Sequence, residues 1–179
     1  MDRNTGLTKS KTENASTDKQ IELRAATQDD REFLLRVYDV SREIELAMVP
    51  WDAAQRRAFI ELQFDAQARH YESEYAETTH DIIVVKGEPV GRLFVSRGDP
   101  RQIAILDITV LHEHRKNGIG TRLIHHLQAE AARDSKSLRV FVEVFNPSQE
   151  FFRDLGFQTV DDPGVDLRFE WRQPDAKNT

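Results

Sequence analysis

The segment from Leu106 to Ile124 constrains this chain more than any other. An apolar strand ending in Val110-Leu111 runs straight into a basic turn, His112-Glu113-His114-Arg115-Lys116-Asn117-Gly118-Ile119-Gly120-Thr121, and the turn opens an amphipathic helix. The first N–H groups of a helix have no intrahelical acceptor, so such a turn gathers several unpaired amides in one place. Glycine lets the backbone approach a ligand closely and take conformations that a Cβ forbids. With the helix dipole added, the segment reads as a cradle for a phosphate.

Spacing narrows the kind of cradle. A dinucleotide fingerprint needs a third glycine where Leu123 stands, and a Walker loop would end in Gly-Lys-Ser/Thr, whereas Gly120 is followed by Thr121 and Arg122. What remains is Arg115-x-x-Gly118-x-Gly120. A second segment, Asn146-Pro147-Ser148-Gln149-Glu150-Phe151-Phe152-Arg153-Asp154-Leu155-Gly156-Phe157, follows a strand from Leu138 to Phe145. Pro147 suits the first turn of a short helix and Gly156 its left-handed end.

In their order and separation the two segments resemble the GNAT N-acetyltransferase family, which binds acetyl-coenzyme A. The resemblance implies that Arg115, Lys116, Asn117, Gly118, Ile119, Gly120 and Thr121 hold the pyrophosphate. It implies that main-chain groups of Val110, Leu111 and His112 pair with the pantetheine arm, and that the Val110 amide polarises the thioester carbonyl. Asn146 and Phe152 are carried over as cofactor contacts. Many members have a tyrosine general acid where Phe152 stands, and a phenyl ring cannot donate a proton. The residues themselves leave other readings open: Arg115 and Lys116 also suit a solvated turn, and Asn146 a simple turn former.

Composition sets the remaining bounds. A chain of 179 residues fits one domain with a proper core. Without cysteine there is no disulfide, thiolate metal site or cysteine nucleophile. A net charge of −6 speaks against a nucleic-acid partner and suits cationic ones, such as amines or lysine-rich peptides. No apolar run approaches the roughly 18 residues of a membrane span, and no leader-like apolar core opens the chain. The expectation is a cytoplasmic protein with no membrane partner, its oligomeric state open, a homodimer included.

Along the chain, residues 1–18 read as a disordered tail, 19–173 as a single acetyltransferase domain and 174–179 as a second tail. Ile21 to Ala25 reads as a strand. Thr27 with Asp30 and then Asp52 read as helix caps, the second helix running to about Arg69 with Phe59, Leu62, Ala66 and Arg69 on one stripe. Ile44 and Met48 fall at helical spacing between the two. Asp81–Lys86 and Val90–Arg97 read as a hairpin around Gly87-Glu88, and Gln102–Leu111 as a third strand. Gly118 to about Asp134 reads as a helix with Ile119, Leu123, Leu127 and Ala131 inward. Two closing strands flank the turn at Asp161-Asp162-Pro163-Gly164. The order βααβββαβαββ is α/β (α+β), a mixed, largely antiparallel sheet with helices on both faces, which is also the order of the GNAT fold.

Acetyl transfer needs a neutral amine, so a base is sought by strand parity. Ile103, Ile105, Asp107 and Thr109 would share one face, and Phe141, Glu143 and Phe145 one face of the neighbouring strand. Asp107 and Glu143 are therefore the catalytic candidates, with pairing to a nearby arginine as the alternative for each. His125 and His126 point about 100° apart on a helix, and His112 and His114 show no partner set, so no metal is expected. Glu43, Glu45, Trp51 and Asp52, with Phe169 and Trp171, form a candidate acceptor region, against the alternative of core tryptophans and solvated acids. The functional expectation is an acetyl-coenzyme A-dependent N-acetyltransferase acting on a small-molecule or peptide amine by direct attack. The competing reading, motivated by Phe152, is a non-catalytic acyl-coenzyme A sensor.

Overall fold

Lys86 and Gly87 both take left-handed backbone conformations, with φ of 55° and 81°. That two-residue turn matches the natural twist of a hairpin and joins β2 (Thr78–Val85) to β3 (Glu88–Ser96). The computed structural model describes residues 21–161 and 166–174. Around this hairpin β1 (Ile21–Ala25), β4 (Gln102–Val110), β5 (Ser137–Glu143), β6 (Gln158–Asp161) and β7 (Asp166–Trp171) complete one sheet in the order β1-β2-β3-β4-β5-β7-β6. Every pairing is antiparallel except β4 with β5. The expected tails, apart from Pro174, and the turn after Asp161 lie outside the described residues.

Two cores flank the sheet. On one face lie α4 (Ile119–Arg133) and α5 (Ser148–Asp154), where Ile119, Leu123, Leu127 and Ala131 are buried as their spacing predicts. On the other face lie α1 (Arg31–Ser41), the single turn α2 (Glu43–Leu46) and α3 (Ala53–Glu74). Each fully buried Leu or Ile contributes about 1.5–3 kcal/mol. The caps are as expected. Asp52 accepts from the Gln55 amide at 2.9 Å while Gln55 returns a bond to the Asp52 amide. Asp30 accepts from the Thr27 amide and hydroxyl at 2.8 and 3.0 Å.

Several local expectations are corrected. The inward stripe of α3 is Ile60 and Phe64, continued by Gln67 and Tyr71, one position round from the expected one, and Leu62 is exposed. α3 also runs past Arg69 to Glu74. Ile44 and Met48 face solvent, and Leu46 is the residue that α2 buries. Phe169 is fully buried in the α4/α5 core and Trp171 packs against that core, so the two lie on the face away from α1–α3. Asp52 is spent as a helix cap and Trp51 packs at a tilt against Phe59, ring centres 4.7 Å apart, which leaves Glu43 and Glu45 of the expected acceptor group.

Candidate active site

β4 and β5 pair only from Gln102–Ser137 to Ile105–Val140 and then part. The cause is a bulge. Phe94 of β3 faces Asp107 and Val95 faces Ile105, so Leu106 is an extra residue in β4. The Tyr71 hydroxyl donates to the Leu106 carbonyl at 3.0 Å and anchors the bulge to α3. Between the parted strands lies a cavity of about 290 Å³, lined by Asp107, Thr109, Glu143, Asn146, Ser148 and Phe152 among others.

The bulge corrects the parity expected for β4. Ile103 and Ile105 pack toward α4, but Asp107 and Thr109 face α1 and α3, while Ile108 and Val110 return to the α4 side. A one-residue shift moves every later side chain to the other face. In β5, Leu138, Val140 and Val142 fill the α4 core, so Phe141 and Glu143 face the same side as Asp107. Without the extra residue, Asp107 would share a face with Val142 and point away from Glu143.

The same register orients the main chain. The Leu111 amide donates to the Val90 carbonyl at 2.9 Å, so in the alternating antiparallel ladder the Val110 amide faces away from β3, into the opening. The Val110 carbonyl accepts from Arg115 Nε at 2.8 Å. Gly91 makes this close approach possible, since a Cβ there would lie 2.2 Å from the Thr109 carbonyl oxygen.

Beyond Val110 comes a 3-10 turn, His112–His114, and then the glycine turn. Gly118 is the N-cap of α4 at φ 74°, a left-handed conformation that favours glycine, and Lys116 precedes it at φ 60°. The first bond closing the helix runs from the Arg122 amide to the Gly118 carbonyl at 3.1 Å, so the amides of Ile119, Gly120 and Thr121 have no intrahelical acceptor. Arg115, Lys116, Asn117 and Gly118 are exposed around them. This turn fits a phosphate group by its own geometry. An Arg36–Glu113 ion pair and a Glu43–His112 hydrogen bond, each at 2.5 Å, tie the first helices to it.

Arginines organise the acids. Arg92, 1% exposed, places Nη2 2.5 Å from Asp107 Oδ2 and 2.9 Å from Gln67 Oε1, with its guanidinium carbon 5.4 Å from the Tyr38 ring centre. Thr109 donates to the other Asp107 oxygen at 2.8 Å. Arg42 bridges Glu45 and Glu143 at 2.7 and 2.8 Å. A hydrogen bond with Glu45 and partial burial push Glu143 up to about 7, against the pull of Arg42. Burial, aided by the Asp107 charge, holds Tyr71 well above the usual phenol range. Sequence reasoning missed Arg42, Tyr71, Arg92 and Gly91; an arginine and a glycine inside the apolar run Val90–Val95 were the available signal.

A sequence model described as the Acetyltransferase (GNAT) family matches residues 34–157. The chain belongs to this family. No curated protein sequence matches it. Among solved structures, it is similar to the PaiA N-acetyltransferase of Thermoplasma acidophilum in complex with coenzyme A (17% identity, TM-score 0.66, covering 86% of this chain and 99% of that one). It is also similar to an acetyltransferase of Thermus thermophilus (20%, 0.64, 86% and 97%). A third is Arabidopsis thaliana Naa50 in complex with the bisubstrate analogue CoA-Ac-MVNAL (15%, 0.54, 86% and 99%). At these identities the likeness is one of fold.

Two positions of the second motif have a structural occupation in this GNAT domain. Asn146 Oδ1 accepts from the Ser148 amide at 2.9 Å, which makes Asn146 a turn former at the start of α5. Phe152 is 3% exposed, packs edge-on against Phe157 with ring centres 5.4 Å apart, and contributes to the cavity wall. No helix of the described residues is long and apolar enough to cross a membrane.

Proposed function

We propose that the protein is an acetyl-coenzyme A-dependent N-acetyltransferase in which a primary amine, of a small molecule or a peptide, attacks the thioester directly. The observation that carries this reading is the opening between β4 and β5. The strand bearing the free-facing Val110 amide leads straight into the amide cradle of α4, and Glu143 and Asp107 line the cavity between the strands.

The ordinary form of an amine at neutral pH is the ammonium ion, which has no lone pair to give. Glu143, raised to about 7, is matched to take that proton directly or through a water. The neutral nitrogen then attacks the thioester carbonyl, whose developing oxyanion accepts from the Val110 amide. Collapse breaks the carbon–sulfur bond. The proton lost from nitrogen reaches the departing thiolate through water, since Phe152 has none to donate. Asp107, locked by Arg92 and Thr109, supplies fixed negative charge near the incoming cation. The turn amides from Ile119 to Thr121, with Arg115 and Lys116, would hold the pyrophosphate.

Direct attack requires both substrates bound together. Initial rates measured over a grid of acetyl-coenzyme A and amine concentrations should give intersecting reciprocal plots, with no acetylated protein by intact mass. Parallel plots with an acetyl-enzyme would overturn the proposal.

Phe152 favours a second reading, a non-catalytic acyl-coenzyme A sensor. The Phe152→Tyr variant separates the two. Turnover that persists or rises supports the enzyme; absent turnover in both forms, with acetyl-coenzyme A still bound, supports the sensor.

A further inference from the structure

A second cavity, of about 420 Å³, opens beside the first; Arg42, Gln67, Tyr71, Phe141 and Asp166 line both. Its floor is the part of the sheet that α1 and α3 leave uncovered, where β5 and β7 present Arg139, Phe141 and Asp166. The charges here are unevenly matched. Arg42 is fully engaged by Glu45 and Glu143. Arg139 is not: among the described residues its guanidinium has no ion-pair or hydrogen-bond partner, and its Nε is buried without an acceptor. Its guanidinium carbon lies 5.2 Å from the centre of the Phe141 ring.

The carboxylates around Arg139 are committed elsewhere or stand at the far end of the floor. Glu170, directly opposite on β7, pairs with Arg172 at 2.5 Å. Asp99 accepts from the Arg101 amide and from Gln102 at 2.7 and 2.8 Å, and feels Arg139 only through its field. Asp166 stands opposite Glu143, at the other end of the floor. A partly buried guanidinium without a counter-ion is costly to keep, and its planar fork of donors suits a carboxylate or phosphate. Arg139 and Glu143 lie on the same face of β5, four residues apart, so their Cα atoms are about 13 Å apart.

We propose that the acceptor is an amine that also carries an anion, and that Arg139 is its anion-binding, specificity-determining residue. The inference rests on the acetyltransferase reading above. Glu143 and Asp166 face the amine end and Arg139 the anionic end, with Phe141 beneath the connecting chain. The strand spacing requires a chain of several atoms between the two charges. A carboxylate and a phosphate share the chemistry that Arg139 recognises.

The test compares hexylamine, 6-aminohexanoate and 6-aminohexyl phosphate on the coenzyme A-loaded protein, by calorimetry and by acetyl-coenzyme A-dependent thiol release. At least one anionic amine should bind about tenfold or more tightly than hexylamine, in keeping with a charge-assisted hydrogen bond; which of the two does so names the anion. Arg139→Gln should abolish that preference, Arg139→Lys should retain part of it, and acetyl-coenzyme A affinity should not move. Preferential binding that depends on Arg139, without turnover, would remove the enzymatic reading and the acceptor assignment with it, leaving Arg139 as the anion site of a bound ligand. Turnover without an Arg139-dependent preference would overturn this inference alone. Equal use or equal binding of all three amines, an absence of binding, or a preference that survives Arg139→Gln would overturn it, whatever the turnover.

Discussion

Arg92 and Asp107 form an ion pair of 2.5 Å beneath Tyr38 and Phe64, one partner 1% and the other 12% exposed. Residue 107 reaches this partner only because Leu106 bulges out of β4. The pair therefore reads out the bulge, and the bulge sets the opening between the strands. Removing one partner leaves a buried charge alone. Arg92→Ala should lower unfolding free energy by about 3–5 kcal/mol in urea titration, and Arg92→Leu combined with Asp107→Leu should recover much of that. A loss under about 1 kcal/mol for the single variant would contradict a buried, mutually dependent pair.

Glu143 gives a pH signature. As the proposed base it must be ionised, so kcat/KM should rise with pH through a limb near 7. Glu45 is the main cause of the raised value, so Glu45→Gln should move the limb toward the ordinary carboxylate range, and Glu143→Gln should remove it. The stability sign is the reverse. The folded state holds the Glu143 proton more tightly than the unfolded chain, so this contribution is full below about 4.5 and is lost as pH rises through about 7. A pH–rate limb that ignores Glu45→Gln would exclude Glu143 as its source.

Gly118 tests the cradle with little disturbance elsewhere. A Cβ there meets nothing within 4 Å, so the penalty of substitution is conformational, from φ 74°. Gly118→Val should cost about 1–2 kcal/mol of backbone strain and weaken acetyl-coenzyme A binding tenfold or more by calorimetry. Gly120→Ala, whose Cβ would lie 3.3 Å from the Phe151 ring, should perturb binding less.

Gly91 is a requirement of a different kind. Its Cβ would sit 2.2 Å from the Thr109 carbonyl, against main chain that cannot give way. Gly91→Ala should destabilise by about 3 kcal/mol in thermal or urea unfolding, and should also displace the Val110 amide, lowering kcat more than acetyl-coenzyme A affinity. Wild-type stability in this variant would mean that β3 and β4 do not approach so closely.

The sequence is most legible where a periodicity stands alone. Ile119, Leu123, Leu127 and Ala131 define α4 without help, and Asp52 and Gly118 mark helix starts by their own chemistry. Legibility fails where tertiary contacts decide. An inserted residue such as Leu106 leaves no trace in an alternating pattern, because Asp107 and Thr109 alternate as regularly on one face as on the other. The inward stripe of α3 is set by Arg92 and the Leu106 carbonyl, which reward Gln67 and Tyr71 rather than Leu62. Phe169 and Trp171 invite an acceptor reading by residue type, but the register of β7 sends them to the opposite core. The partners of the two acids, Arg42 and Arg92, lie 101 and 15 residues away from them along the chain, beyond the reach of local pattern.

The most direct test of the acetyltransferase account is acetyl-coenzyme A-dependent thiol release against a panel of amines, run in parallel with the wild type and Gly118→Val. The account predicts an amine-dependent rate in the wild type, an acetylated amine by mass spectrometry, and loss of both in the variant together with acetyl-coenzyme A binding. A wild-type protein that binds acetyl-coenzyme A yet acetylates no amine in the panel, or a rate unchanged in Gly118→Val, would contradict it.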